Sequence, residues 1–363
     1  MAPHELGDRR PSVAGLEPSA KMKTTMLTRR GHNLLQLLIL LVSGALLGCS
    51  EAAPTQPPAG GLPELGFSVN GEALSGPLEQ SHYNELASLT PYAEWARMGF
   101  SSDGDWQGTS QRYFDAATDA GMNVLLRASF PDSQYNGSQP VDVDAYGDFV
   151  AALAAHYKAK GLDGANPVIE FPNEINGTEI TGATYAAAAC NAYPKLKAVD
   201  PDYKVIGASE NVYDSNWKNW LEDVYKGGFA NCSDGISFHN YDAPGEGGRY
   251  DFLRSLMTQH DDLDAEVWVT EFGATTCTPA SSSALGCRTE EQQAEIIVGN
   301  IREMRDRYPW ITHAILYADE DVPSRKTTDP FEAHFGIYRN DASGNITGAK
   351  PAVAALKALY EQG

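Results

Sequence analysis

Short apolar runs alternating with longer amphipathic stretches organise this chain from residue 65 to its end. The runs are rich in β-branched and aromatic residues and are bounded by Gly, Pro, Asn or Asp, the mark of buried strands. In chain order they are Gly66–Val69, Trp95–Gly99, Asn123–Ala128, Val168–Phe171, Lys204–Ala208, Gly235–His239, Glu266–Thr270 and His313–Tyr317. Helical spacing fills the intervals at Gln111–Ala120, Asp144–Lys160, Tyr185–Ala198, Trp217–Tyr225 and Tyr250–His260. Thr289 followed by Gln292 is a capping-box pattern that opens a further helix, and Pro351 suits the first turn of a last one running to Tyr360. Eight strand–helix units over this length predict an α/β fold, a single (β/α)8 barrel. A doubly wound open sheet is disfavoured, because no G-x-G-x-x-G or G-x-x-x-x-G-K motif follows an early strand.

The first residues obey a different pattern. Lys21, Lys23, Arg29 and Arg30 precede an apolar run from Leu34 to Leu47 that is too short to span a bilayer comfortably but fits a signal-peptide core. It ends in Leu46-Leu47-Gly48-Cys49, which resembles a bacterial lipobox with Cys49 as the lipidated residue. Residues 49–64 are rich in Pro, Ala and Gly and read as a flexible tether. The expected organisation is therefore a leader over 1–48, a tether over 49–64 and a single (β/α)8 domain over 65–363. The protein would be exported and anchored by lipid at the bacterial cell envelope, touching the membrane through that anchor only.

Charge and cysteine content narrow the partners. The net charge of −21 argues against nucleic acid and against an anionic polysaccharide as the main partner, although a local basic cleft stays open; a neutral glycan would not be repelled. With Cys49 lipidated, four cysteines remain, an even number suited to an oxidising compartment. Three connectivities are open, of which Cys277 with Cys287 and Cys190 with Cys232 is favoured. No close C-x-x-C spacing suggests zinc, no cofactor motif is present, and a monomer is expected.

Two glutamates carry the candidate chemistry. In PVIEFPNEING, Glu174 follows the fourth strand, and in EVWVTEFGATT, Glu271 closes the seventh. Strands four and seven face each other across a barrel mouth, so two carboxyls at their ends can flank a bound sugar ring, as glycoside hydrolysis requires. Glu210 after strand five and Asp319, Glu320 and Asp321 after strand eight compete for the mouth. The triple acidic run reads as a solvated loop.

With these residues in place, the chain resembles the clan A retaining glycoside hydrolases, the group that includes families 5 and 39. The likeness rests on Asn173-Glu174, on Thr270-Glu271-Phe272-Gly273, on His239-Asn240-Tyr241 after strand six, on Arg97 of strand two, and on the closing HFGIYRNDASGNITGAKPAVAALKALY. It implies Glu271 as nucleophile, kept ionised by Arg97 and Tyr241, and Glu174 as acid/base with its pKa raised by apolar surroundings and the charge of Glu271. It further implies Asn173 on the sugar 2-hydroxyl and His239 lining the sugar subsite. The chain departs from the clan where many members carry a tryptophan at the end of strand eight: Tyr317 stands there. Trp106, Tyr135, Tyr213 and Trp217 fall in expected mouth-side loops and could stack on sugar faces. The reading is a β-glycosidase acting on a poly- or oligosaccharide by double displacement, with a transglycosylase or a non-catalytic glycan-binding barrel as alternatives.

Overall fold

The computed structural model describes residues 61–69, 80–159, 168–246, 248–277, 286–322 and 329–362, all within the unit Ala53–Gly363. The leader, Cys49 and all but the last residues of the tether lie outside the described residues. Eight parallel strands close into a barrel in chain order: β1 (Glu64–Ser68), β2 (Ala93–Ser101), β3 (Asn123–Ser129), β4 (Val168–Glu170), β5 (Lys204–Gly207), β6 (Gly235–His239), β7 (Glu266–Phe272) and β8 (Ile311–Leu316). Closure is made by β8 pairing in parallel with β1, Ala314 opposite Leu65. Each run foreseen as a strand is one, with ends shifted by up to two residues.

The helices foreseen from periodicity are α2 (Thr109–Asp119), α4 (Val143–Ala159), α5 (Gly182–Val199), α6 (Trp217–Lys226), α7 (Gly248–Gln259), α8 (Glu290–Arg307) and α9 (Pro351–Gln362). The capping box of α8 is formed: Thr289 Oγ1 accepts from the Gln292 backbone at 3.2 Å, and Gln292 Oε1 accepts from the Thr289 backbone at 2.9 Å. Two short helices, α1 (Gln80–Ala87) and α3 (Asp132–Tyr135), and the hairpin β9 (Tyr338–Asn340) and β10 (Ile346–Ala349) were not foreseen. Their runs are too short for a 3.6-residue or 2-residue period to stand out.

Two apolar layers hold the barrel. One lies between sheet and helices and takes Val124, Leu126, Ile169, Phe171, Val205, Ile236, Phe238, Val267 and Val269. The other fills the barrel interior with Trp95, Leu125, Val168, Ile206, Trp268 and Ile315. Trp95 and Trp268 meet edge to face at 4.7 Å between ring centroids. Gly66 makes room for them, since a Cβ there would stand 2.7 Å from the Cβ of Trp95. A plug this bulky closes the barrel floor, so the next residues along each strand, at its C-terminal end, face an open mouth.

Disulfides join Cys190 to Cys232 and Cys277 to Cys287, the favoured connectivity. The acidic run after β8 departs from expectation. Asp319, Glu320 and Asp321 are buried rather than solvated. Asp319 meets His82 at 3.1 Å, Glu320 accepts from Asn340 at 2.8 Å, and Asp321 accepts from Lys350 Nζ at 2.8 Å. Burial and the adjacent Asp319 push Glu320 up to about 7. Three acidic residues remain inside because each has a partner on a different element, a pairing invisible in local composition.

Candidate active site

Side chains two apart on a strand share a face, and this places Arg97 above Trp95 and Glu170 above Val168. Arg97 is 1% exposed and spends its guanidinium on three acceptors. Nε donates to Glu170 Oε2 at 2.5 Å, Nη1 to Glu271 Oε1 at 2.6 Å and Nη2 to Asn173 Oδ1 at 2.6 Å. One fork thereby fixes residues of β4, β7 and the loop after β4 relative to one another.

Glu271 reaches the mouth through an irregularity in β7. Trp268 points into the barrel, so strict alternation would turn Thr270 inward and Glu271 outward with Val267 and Val269. Instead the register with β6 slips between Phe238/Val269 and His239/Glu271, and the register with β8 slips between Val269 and Phe272. The extra residue is a bulge that re-aims Glu271 into the cavity. There Tyr241 Oη donates to its Oε2 at 2.8 Å, opposite the Arg97 bond on Oε1. Burial would raise the carboxyl, but His239, Arg97 and the bonds from Arg97 and Tyr241 outweigh it and hold Glu271 down to about 2.

Glu174 stands at the turn after β4 in left-handed conformation, φ 54° and ψ 38°, an unusual backbone state for a residue with a side chain. Its amide donates to the Ser209 carbonyl at 2.9 Å, which pins that turn to the end of β5. The side chain is 25% exposed, and its Oε1 lies 2.9 Å from Nδ1 of His239. His239 is wholly buried, with Nδ1 also 3.6 Å from Glu271 Oε2. Burial disfavours its charged form, yet the two carboxylates raise its pKa above the ordinary imidazole value. One oxygen of Glu174 and one of Glu271 lie within 4.8 Å of each other, with His239 equally near.

These groups open onto a cavity of about 730 Å³ lined by Arg97, Asn173, Glu174, Tyr241, Glu271 and Tyr317 among others. Tyr317 is oriented by its hydroxyl, which donates to Glu332 at 3.1 Å, and by edge contact with Phe335. Tyr135 and Tyr213 also line the cavity and are exposed, Tyr213 stacking on Tyr241. Four expected mouth residues are elsewhere. Trp106 packs edge-on against Phe149 and His156 of α4, where its apolar ring is covered. Trp217 is buried beneath Arg249, whose guanidinium carbon is 3.9 Å from the ring centroid, and Arg249 also pairs with Glu210. Glu210 is therefore an interior ion-pair partner, pushed up to about 7 by burial. His239 lies behind the two carboxylates and not on the cavity wall.

Sequence reasoning missed Arg127, on the inward face of β3 two residues after the interior Leu125, and now a lining residue of the cavity. The signal available was that same two-residue spacing, identical to that of Trp95 and Arg97. Glu174, His239 and Glu271 are also close enough to hold a metal ion among the described residues. Arg97, however, already sets a fixed cation 2.6 Å from Glu271, which disfavours a second positive charge there.

The family described as glycosyl hydrolase catalytic core matches residues 147–329, half of the chain. No curated protein matches the sequence significantly. Among solved structures, the chain is similar to the GH2 β-galacturonidase from Eisenbergiella tayi bound to galacturonate, at 14% identity and TM-score 0.60, over 83% of this chain and 51% of that one. It is similar to the Ignisphaera aggregans GH53 catalytic domain, at 18% identity and TM-score 0.57, over 85% and 98%. It is also similar to a GH113 β-1,4-mannanase, at 15% identity and TM-score 0.52, over 83% and 99%. The chain thus spans about half the length of the galacturonidase, and at such identities these likenesses speak to the barrel alone. The family match is what identifies the chain: it belongs to the glycosyl hydrolase catalytic core family.

Proposed function

We propose that the chain is a clan A retaining β-glycosidase that cleaves a poly- or oligosaccharide by double displacement. The observation carrying this reading is the unequal environment of two carboxyls with oxygens within 4.8 Å of each other, one of them held ionised down to about 2. Retaining enzymes set the pair roughly 5–5.5 Å apart and inverting enzymes roughly 6.5–9.5 Å, leaving space for a water. In the first step Glu271 attacks the anomeric carbon while Glu174 gives its proton to the departing glycosidic oxygen, so one C–O bond forms as the other breaks. In the second, Glu174 takes a proton from water, whose oxygen displaces Glu271 and frees the sugar with its starting configuration. His239, 2.9 Å from Glu174, positions that carboxyl. Asn173 has its Oδ1 occupied by Arg97 and Ser209, which leaves its amide N–H groups for the sugar 2-hydroxyl.

The leader and Cys49 support export with a lipid anchor at the cell envelope, and two disulfides suit an oxidising compartment. The decisive experiment is Glu271→Ala assayed on an activated aryl β-glycoside. Turnover is expected to vanish, and azide is expected to restore a glycosyl azide of opposite anomeric configuration. Glu174→Ala should lose roughly 10²- to 10⁴-fold on substrates with poor leaving groups. Wild-type turnover in Glu271→Ala would end the assignment.

A further inference from the structure

Among the described residues, the two buried arginines at the barrel mouth each have a carboxylate: Arg97 holds Glu170 and Glu271, and Arg249 holds Glu210. Arg127 has none. Its Nε is buried without a hydrogen-bond partner, and no carboxylate among the described residues pairs with its guanidinium. The carboxylates nearest in charge are already engaged, Glu170 and Glu271 by Arg97 and Glu174 by His239. A guanidinium removed from bulk water without a counter-charge is costly, and the cost is visible in its pKa, lowered first by burial and then by Arg97.

The fold nevertheless keeps space for it. Gly99 of β2 stands opposite Arg127 in the sheet, and a Cβ there would be 2.5 Å from Arg127 Nη2. A side chain at 99 would require the guanidinium to shift. Around it the wall offers the hydroxyls of Ser101, Ser129 and Tyr135, in the same cavity as Glu174 and Glu271. Among the described residues, the other charged groups lining this cavity are Asp132, Glu332 and Arg97, the last already bonded to Glu170, Glu271 and Asn173, so Arg127 is the lining cation there without a carboxylate partner.

We propose that Arg127 is a specificity residue that binds an anionic substituent of the sugar, so that the glycan cleaved here bears a uronate carboxylate or a sulfate ester within reach of the catalytic pair. The inference rests on the hydrolase reading above and adds the substrate class. A planar fork of N–H donors pairs with two oxygens of either anion, and the pairing gains from the partial desolvation of the guanidinium. The acidic exterior does not forbid it, because charges beyond about 10 Å are screened at ordinary ionic strength and the cavity field is local.

The test compares matched glycans that differ in charge alone. Uronate-containing oligosaccharides are paired with their carboxyl-reduced neutral forms, and sulfated galactan fragments with their desulfated forms. Wild-type enzyme is expected to favour the acidic member of one kind of pair by at least tenfold in kcat/KM, and the kind that responds identifies carboxylate or sulfate. Arg127→Met should lower the acidic-to-neutral ratio of kcat/KM by at least tenfold, with Arg127→Lys in between. Equal or faster cleavage of the neutral members by wild type would overturn the inference while leaving the hydrolase standing, even where Arg127→Met fails to fold. Equal losses on both members in a folded Arg127→Met would also overturn it. Absence of cleavage on every member and on a neutral polysaccharide panel would overturn the hydrolase reading itself.

Discussion

Replacing Arg97 by methionine tests the central electrostatic claim, since it keeps much of the apolar stem and removes the charge. The variant strands Glu170, wholly buried, and Glu271, 6% exposed, without the cation that joins them at 2.5 and 2.6 Å. Breaking a buried pair from one side costs about 3–5 kcal/mol. Glu271 gives a second measure: its displacement from 4.5 to about 2 corresponds to about 3 kcal/mol favouring the ionised form, against burial and with His239 and Arg97 as the main sources. Because the folded pKa is depressed, this stabilisation is present above pH 4.5 and is lost as pH falls towards 2. In the variant the burial penalty goes unopposed by Arg97, so the deficit is greatest at neutral pH and narrows on acidification. Thermal denaturation followed by circular dichroism should show Tm lower by on the order of 10 °C at pH 7, and by less at pH 4. A Tm within about 2 °C of wild type at pH 7, or a deficit that widens in acid, would refute the reasoning.

Two further outcomes follow from the same site. Tyr241→Phe removes the 2.8 Å donor to Glu271 Oε2 and should lower kcat/KM by about tenfold to a hundredfold, moving the acidic limb of the pH profile upward. An acidic limb that stays in place would mean the hydroxyl does not help keep Glu271 ionised. Exhaustive chelation should leave hydrolysis unchanged; loss restored by a divalent cation would instead make Glu174, His239 and Glu271 metal ligands.

Much of the architecture was legible because its signal is local. Val168 to Phe171 or Gly235 to His239 announce a strand by composition and length, and Thr289 with Gln292 announces a helix start by hydrogen-bond stereochemistry. The two glutamates were legible because a strand end in a barrel is a predictable place. The acidic run after β8 was misread, since its partners His82, Asn340 and Lys350 are supplied by distant segments. Trp106 was placed at the mouth because a loop tryptophan has no periodicity to reveal that α4 covers it.

The sequence by itself determined eight strands, their order and the two carboxyls, one in the turn after β4 and one near the end of β7, because side-chain alternation and turn chemistry act over a few residues. Tertiary structure alone decided that Glu271 turns inward, because a bulge is measured against the registers of β6 and β8 and not within β7. It alone decided the difference between Arg97 and Arg127 as well. Both lie two residues beyond an interior apolar side chain, yet closure of the barrel brings carboxylates to one guanidinium and leaves the other facing the cavity.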